Sequence, residues 1–157
     1  MKLKLRRQGD VYIYELSGAV ETDAEKELVD SVQKRMHRSL KNPAGQCILA
    51  LGESSGHAHV IEQEDTMLWE LDNDEAGNLR SLLDLDFIIQ DARRVLENNP
   101  FQPPRLLIVE KEATLIHKNL KTGELTKEHD DIILPKGTHF VVHQREYAEQ
   151  GTRQVWD

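Results

Sequence analysis

At 157 residues the chain is the size of one ordinary domain, long enough to bury roughly two thirds of the surface that its unfolded form exposes. Its 28 acidic against 20 basic residues leave a formal charge of -8, which disfavours a nonspecific grip on nucleic-acid phosphates or an anionic membrane. Cys47 is the only cysteine, so no internal disulfide forms, and no apolar run approaches the ~18 residues that cross a bilayer; the expectation is a cytoplasmic protein.

Lys2, Lys4, Arg6 and Arg7 alternate near the start and read as a solvated strand face rather than a basic binding patch. Two extended pieces occupy residues 3 to 16, broken at Gln8-Gly9-Asp10; the second, Val11-Tyr12-Ile13-Tyr14-Glu15-Leu16, is rich in β-branched and aromatic side chains. Thr22-Asp23-Ala24-Glu25 has the pattern of a capping box, and Leu28, Val29, Val32, Met36 and Leu40 follow at helical spacing, so a helix is expected over about 22–41. Asn42-Pro43-Ala44-Gly45 stops it.

Gln46 to Leu51 reads as a buried strand that makes Cys47 a small core residue. A turn at 52–56 follows, and His57 to Ile61 and Thr66 to Leu71 are extended, which gives a β-hairpin reading of this region. From about 74 to 98 the period changes: Leu79, Leu82, Leu83, Ile89, Ala92 and Leu96 recur every three or four residues, marking a second helix that Asn98-Asn99-Pro100 ends. Behind the stiff Phe101-Gln102-Pro103-Pro104 link, strands are expected at Arg105 to Val109, Ala113 to His117, Gly123 to Thr126, Ile132 to Leu134 and His139 to Arg145. The fold class is α+β, mostly β: a small barrel or sandwich in one domain, with two peripheral helices.

The chemistry concentrates in the histidines. Residues i and i+2 of a strand share a face, so His57 and His59 can converge on one metal ion, with His129 as the expected third ligand. His117 also borders the hairpin before His129, His139 and His143 share one strand face, and Glu53 or Glu62 can add a carboxylate; such a nitrogen and oxygen set suits a divalent transition metal. Solvent-facing or hydrogen-bonded histidines are the competing account. Glu53, Arg145, Glu146 and Tyr147 are expected to form a supporting polar network, and Trp69 and Trp156 to serve packing.

Two motif readings fail on context. Gly52-Glu53-Ser54-Ser55-Gly56 matches the serine-hydrolase elbow with Ser54 as nucleophile, but that motif needs a helix directly behind it and the following residues read as a strand. His57-Ala58-His59 with Glu62, and Pro135-Lys136-Gly137 with His139, imitate cupins. Phe140 stands where the last cupin histidine belongs, and a one-residue slip turns a strand side chain to the opposite face, so no ligand is carried over.

Arg7-Gln8-Gly9-Asp10-Val11, Gly52-Glu53-Ser54-Ser55-Gly56-His57-Ala58-His59, His129, Leu134-Pro135-Lys136-Gly137 and Gln144-Arg145-Glu146-Tyr147, taken in order, resemble a group of small uncharacterised bacterial and phage proteins. The resemblance implies a compact β protein with no established activity, in which the two helical segments elaborate a shorter β core. Two function classes stand side by side. One is a domain whose His-lined pocket binds a divalent metal or small ligand. The other is a noncatalytic interaction or assembly protein of phage or mobile-element origin, open to a protein partner or to homo-oligomers. A nucleic-acid role ranks below both, and whether the chain is an enzyme is left open.

Overall fold

The computed structural model describes residues 4–18, 22–34, 40–51, 56–83, 105–143, 145–148 and 151–154. In chain order its elements are β1 (Lys4–Gln8), β2 (Val11–Glu15), α1 (Thr22–Lys34), β3 (Cys47–Leu51), β4 (His57–Ile61), β5 (Thr66–Glu70), α2 (Asn73–Leu83), β6 (Arg105–Val109), β7 (Ala113–Asn119), β8 (Ile132–Leu134), β9 (Gly137–His143), β10 (Arg145–Ala148) and β11 (Gly151–Gln154). Nine strands make two antiparallel sheets, β1-β2-β9-β6-β5 and β3-β4-β7-β8, and β10 pairs with β11 separately. The sheets do not close into a barrel: of the two architectures expected, the sandwich is the one adopted.

Period-two alternation explains the layering. On β2, Val11 and Ile13 face the second sheet while Tyr12 and Tyr14 face the helices; on β9, Val141 faces inward and Phe140 and Val142 outward. Between the sheets Val11, Ile13, Leu68, Leu107, Val109 and Val141 meet Cys47, Leu49, Ile61, Ala113, Leu115 and Leu134. On the other side of the five-stranded sheet, Tyr14, Trp69, Leu106 and Phe140 pack against Leu28 and Val32 of α1 and Ala76 and Leu79 of α2. Trp69 and Cys47 are thus packing residues.

Several boundaries differ from the periodicity reading. β3 and β4 pair as a hairpin, but β5 crosses to the other sheet and pairs with β6. Gly123 to Thr126 is not a strand: only an isolated Lys118–Leu125 bridge forms there. The expected strand from His139 to Arg145 is two strands, β9 and β10. Both helices begin near their expected starts; their expected continuations through 35–39 and 84–98 lie outside the described residues, and Leu40 and Lys41, expected at the end of the first helix, are not helical.

Acidic side chains bond at both helix starts. Thr22 is already the first residue of α1, and the Glu25 carboxylate accepts from the Ser17 hydroxyl (2.7 Å). α2 has a reciprocal capping box: the Glu75 amide donates to Asp72 Oδ1 (2.8 Å) and the Asp72 amide to Glu75 Oε1 (3.0 Å).

Candidate metal centre

One end of the inter-sheet space is polar. β4 turns His57, His59 and Ile61 inward, and β7 turns Ala113, Leu115 and His117 inward, so an apolar stripe continues into imidazoles. The antiparallel register sets His59 directly opposite His117 and His57 opposite Asn119. Gly56, the turn residue just before β4, has φ 83, a left-handed conformation, and a Cβ there would lie 3.0 Å from Asn119 Oδ1, so glycine permits this close approach to the end of β7.

The loop after β7 brings the remaining groups. The Gly123 amide donates to Asn119 O (2.8 Å) and the Thr126 amide to His117 O (2.9 Å), folding the chain back along β7. Thr126, Glu128 and His129 thereby come over the His117 ring. The His59 and His117 ring centres are 4.7 Å apart, His117 and His129 4.8 Å, and His59 and His129 5.5 Å. One ligand nitrogen from each of His59, His117 and His129 lies within 4.8 Å of the others. A tetrahedral ion with bonds of about 2.1 Å needs donors about 3.4 Å apart, so the rings must draw in by roughly 1 Å.

The other sheet supplies the outer partners. β1 and β2 are joined through Gly9 and Asp10 alone, with Gly9 at φ 57 as the first turn residue, the arrangement a tight two-residue hairpin requires. Asp10 is buried there: its Oδ2 accepts from His143 Nε2 of β9, and its Oδ1 lies 3.5 Å from His59 Nε2. Gln8 is buried beside it. Its amide nitrogen donates to the carbonyls of Leu115 (3.1 Å) and Asp130 (2.9 Å), which fixes the amide, and its oxygen meets His59 Nδ1 at 2.8 Å. An amide oxygen only accepts, so His59 Nδ1 carries a proton, and Nε2 is the ring nitrogen on the Asp10 side. On His117 the Nδ1 atom bonds the Thr126 hydroxyl.

Burial and the neighbouring rings of His59 and His129 push His117 down to about 4, against an opposing pull from Glu128. It is therefore neutral near pH 7, the state in which imidazole binds metals. Nearer the surface, His57 Nδ1 stands 3.2 Å from Glu128 Oε1, and His117 Nδ1 4.0 Å from Glu128 Oε2. His57, His117 and Glu128 form a second group of donors within 4.8 Å of one another.

Of the three histidines singled out in the sequence, His59 and His129 share one donor group and His57 belongs to the other. His117 joins both and was not among the three; the signal for it is the Ala113-x-Leu115-x-His117 stripe, in which a histidine continues an inward apolar face. Gln8 and Asp10 belong to the Arg7-Gln8-Gly9-Asp10-Val11 mark of the resemblance and to a turn, but nothing in the sequence joined them to the histidines. His139 faces the same way as His143 but lies four residues, about 13 Å, along β9, where its Nε2 donates to Pro135 O (3.1 Å). Burial lowers its pKa. Glu53 lies outside the described residues, and Arg145, Glu146 and Tyr147 are placed in β10 by their backbone. An open depression of about 400 Å³ lies elsewhere, lined by Ile108, Val109, Glu110, Lys136, Gly137 and Thr138, with no imidazole among them.

A two-sheet β protein with a histidine and carboxylate cluster at one end of the sandwich is the class that fold and site define. Residues 7–86 match the profile of a domain of unknown function, DUF8820, and the chain belongs to that family. The matched stretch includes both helices, Gln8, Asp10, His57 and His59; His117, Glu128, His129 and His143 lie beyond it. No curated protein and no solved structure matches the chain.

Proposed function

We propose that this protein binds a divalent transition metal through His59, His117 and His129, with Asp10 as a further oxygen donor or as the acceptor that orients the site. The observation that carries this reading is the fixed Gln8 amide: it holds a proton on His59 Nδ1 and so assigns metal binding to Nε2, in a ring centred 4.7 Å from that of His117 and 5.5 Å from that of His129. Metal-bound histidines are held in this way, their second nitrogen bonded to an outer acceptor. Three nitrogens with a carboxylate nearby suit Zn, Fe, Ni or Mn. An alternative in which the histidines only brace turns accounts less well for four of them, His57, His59, His117 and His129, packed ring against ring.

Metal analysis of protein purified without a histidine tag tests the reading. At least one tightly held ion per chain is expected, with a rise in Tm on adding Zn, Ni, Fe or Mn to chelated protein, and one ion fewer and a smaller rise in His59→Ala and His129→Ala. No bound metal and no thermal response to any of the four would refute it.

A further inference from the structure

We propose that the cluster takes a second divalent ion, held by His57, Glu128 and His117, so that the His117 ring stands between two ions with one nitrogen toward each. This rests on the metal reading above. The two donor groups have no residue in common except His117. Its Nδ1 is the nitrogen on the Glu128 side, 4.0 Å from Oε2, while the other carboxylate oxygen reaches His57 Nδ1 at 3.2 Å. Its Nε2 is the opposite ring nitrogen and is buried. Two nitrogens and a carboxylate are a sufficient set for a zinc- or copper-type ion, with water completing the shell.

The positions differ in access. His59 and His117 have fully buried side chains, whereas the side chains of His57 and Glu128 are 21% and 45% exposed. The inner ion is thus enclosed and the outer one faces solvent. Bonds of about 2.1 Å on either side of one imidazole place the ions about 6 Å apart. With the inner ion on Nε2 the ring's remaining proton is on Nδ1, beside the Thr126 hydroxyl; the outer ion replaces that proton, which goes to solvent, and the ring becomes imidazolate, its negative charge offset by two dications.

Calorimetric titration of chelated, tag-free protein with Zn(II), checked by native mass spectrometry, tests this against Glu128→Gln and His57→Ala. Glu128 is half-exposed, so its replacement leaves the core intact, and circular dichroism confirms folding of both variants. Two equivalents are expected for the natural chain and one for each variant, the remaining ion keeping its affinity within about threefold. One additional proton should be released with the second equivalent, seen by repeating the titration in buffers of different ionisation enthalpy. With two equivalents of Cu(II), the natural chain should lose most of its paramagnetic resonance intensity through coupling across His117, and Glu128→Gln should show an ordinary isolated Cu(II) signal. A single equivalent in the natural chain, unaffected by either substitution, overturns the second ion and leaves the first standing. Two equivalents that survive both substitutions, or two uncoupled Cu(II) ions, overturn the shared role of His117. No ion at all removes both readings.

Discussion

The side-chain oxygen of Gln8 lies 2.8 Å from Nδ1 of His59, while the nitrogen of the same amide donates to the carbonyls of Leu115 and Asp130. One buried side chain thus ties β1 to β4, to β7 and to the loop that carries His129. Replacing it with methionine keeps the volume and removes the hydrogen bonds. Metal affinity is expected to fall 10- to 100-fold, the usual effect of losing an outer partner of a ligating histidine. Stability of the metal-free chain should fall by about 1–3 kcal/mol, because buried polar groups lose their partners. Titration of the folded variant reads the first effect and urea unfolding the second; unchanged affinity would show that the Gln8 bond does not orient His59.

The metal-free chain should lose stability in mild acid. His117 is held down to about 4 by burial and its neighbouring imidazoles, and burial lowers His139 as well. Above about pH 6.5 both are neutral whether the chain is folded or not, so their contribution is fully present. As pH falls below that value the unfolded chain takes up protons that the folded one refuses, and stability declines until the folded pKa values are reached. For His117 the loss is of order 3 kcal/mol. Urea unfolding of chelated protein at pH 7.5, 6 and 5 should show this fall and a shallower one in His117→Leu; equal stability at all three pH values would contradict it.

Asp72 and Glu75 close the start of α2 by exchanging backbone amide bonds, and the second Glu75 oxygen accepts from Ser31 of α1 (3.1 Å). Asp72→Ala removes one capping bond and should cost about 1 kcal/mol. Glu75→Ala removes a cap and the tie between the helices, and because Glu75 is buried it should cost more, about 2 kcal/mol. Thermal unfolding of the two variants gives the order; a larger loss for Asp72→Ala would place the main role of Glu75 elsewhere.

How far the sequence could be read follows from what each pattern encodes. Val11-x-Ile13 and Ala113-x-Leu115 alternate with period two, a local property, and strands stand at both. Strand partnership is not local: β9 lies between β2 and β6, more than a hundred residues and about thirty residues away in the chain, and no single-strand pattern states that choice. The barrel and the sandwich have the same alternation, so only the closing or non-closing of the sheets separates them. His57 and His59 stood out because they are two residues apart in one strand and so share a face. The groups that meet them in space, His117 across the register and Gln8 and Asp10 from the other sheet, are joined to them by tertiary structure alone. The capping box at 72–75 was masked in the sequence because Asp72 ends an extended run, whereas the Thr22 pattern stood alone between elements.

Arg105 bears on the site from the opposite sheet. Between Ile48 and Ala50 the β3–β4 register shifts, so Leu49 is the extra residue of a bulge, and beyond it Ala50 lies opposite His59. The carbonyl of Leu49 accepts from Arg105 Nη2 at 2.6 Å. Burial lowers the guanidinium to about 10, with Glu70 acting against the shift, so the group remains charged at neutral pH. Arg105→Met removes the donor and should destabilise the chain by about 2–3 kcal/mol, as expected when a charged hydrogen bond to a buried acceptor is lost. The effect should also be local. Without the bond the bulge is free to migrate along β3, and a one-residue slip moves side chains between faces. Amide exchange should therefore accelerate at Cys47 to Leu51 and at the facing β4 residues, while the β1–β2 hairpin, which β9 separates from β6, keeps its protection. Metal affinity should fall with β4 order, since His59 is held in that strand. Uniform acceleration across both sheets would instead mean that Arg105 contributes only to global stability and does not set the register in which His59 faces His117.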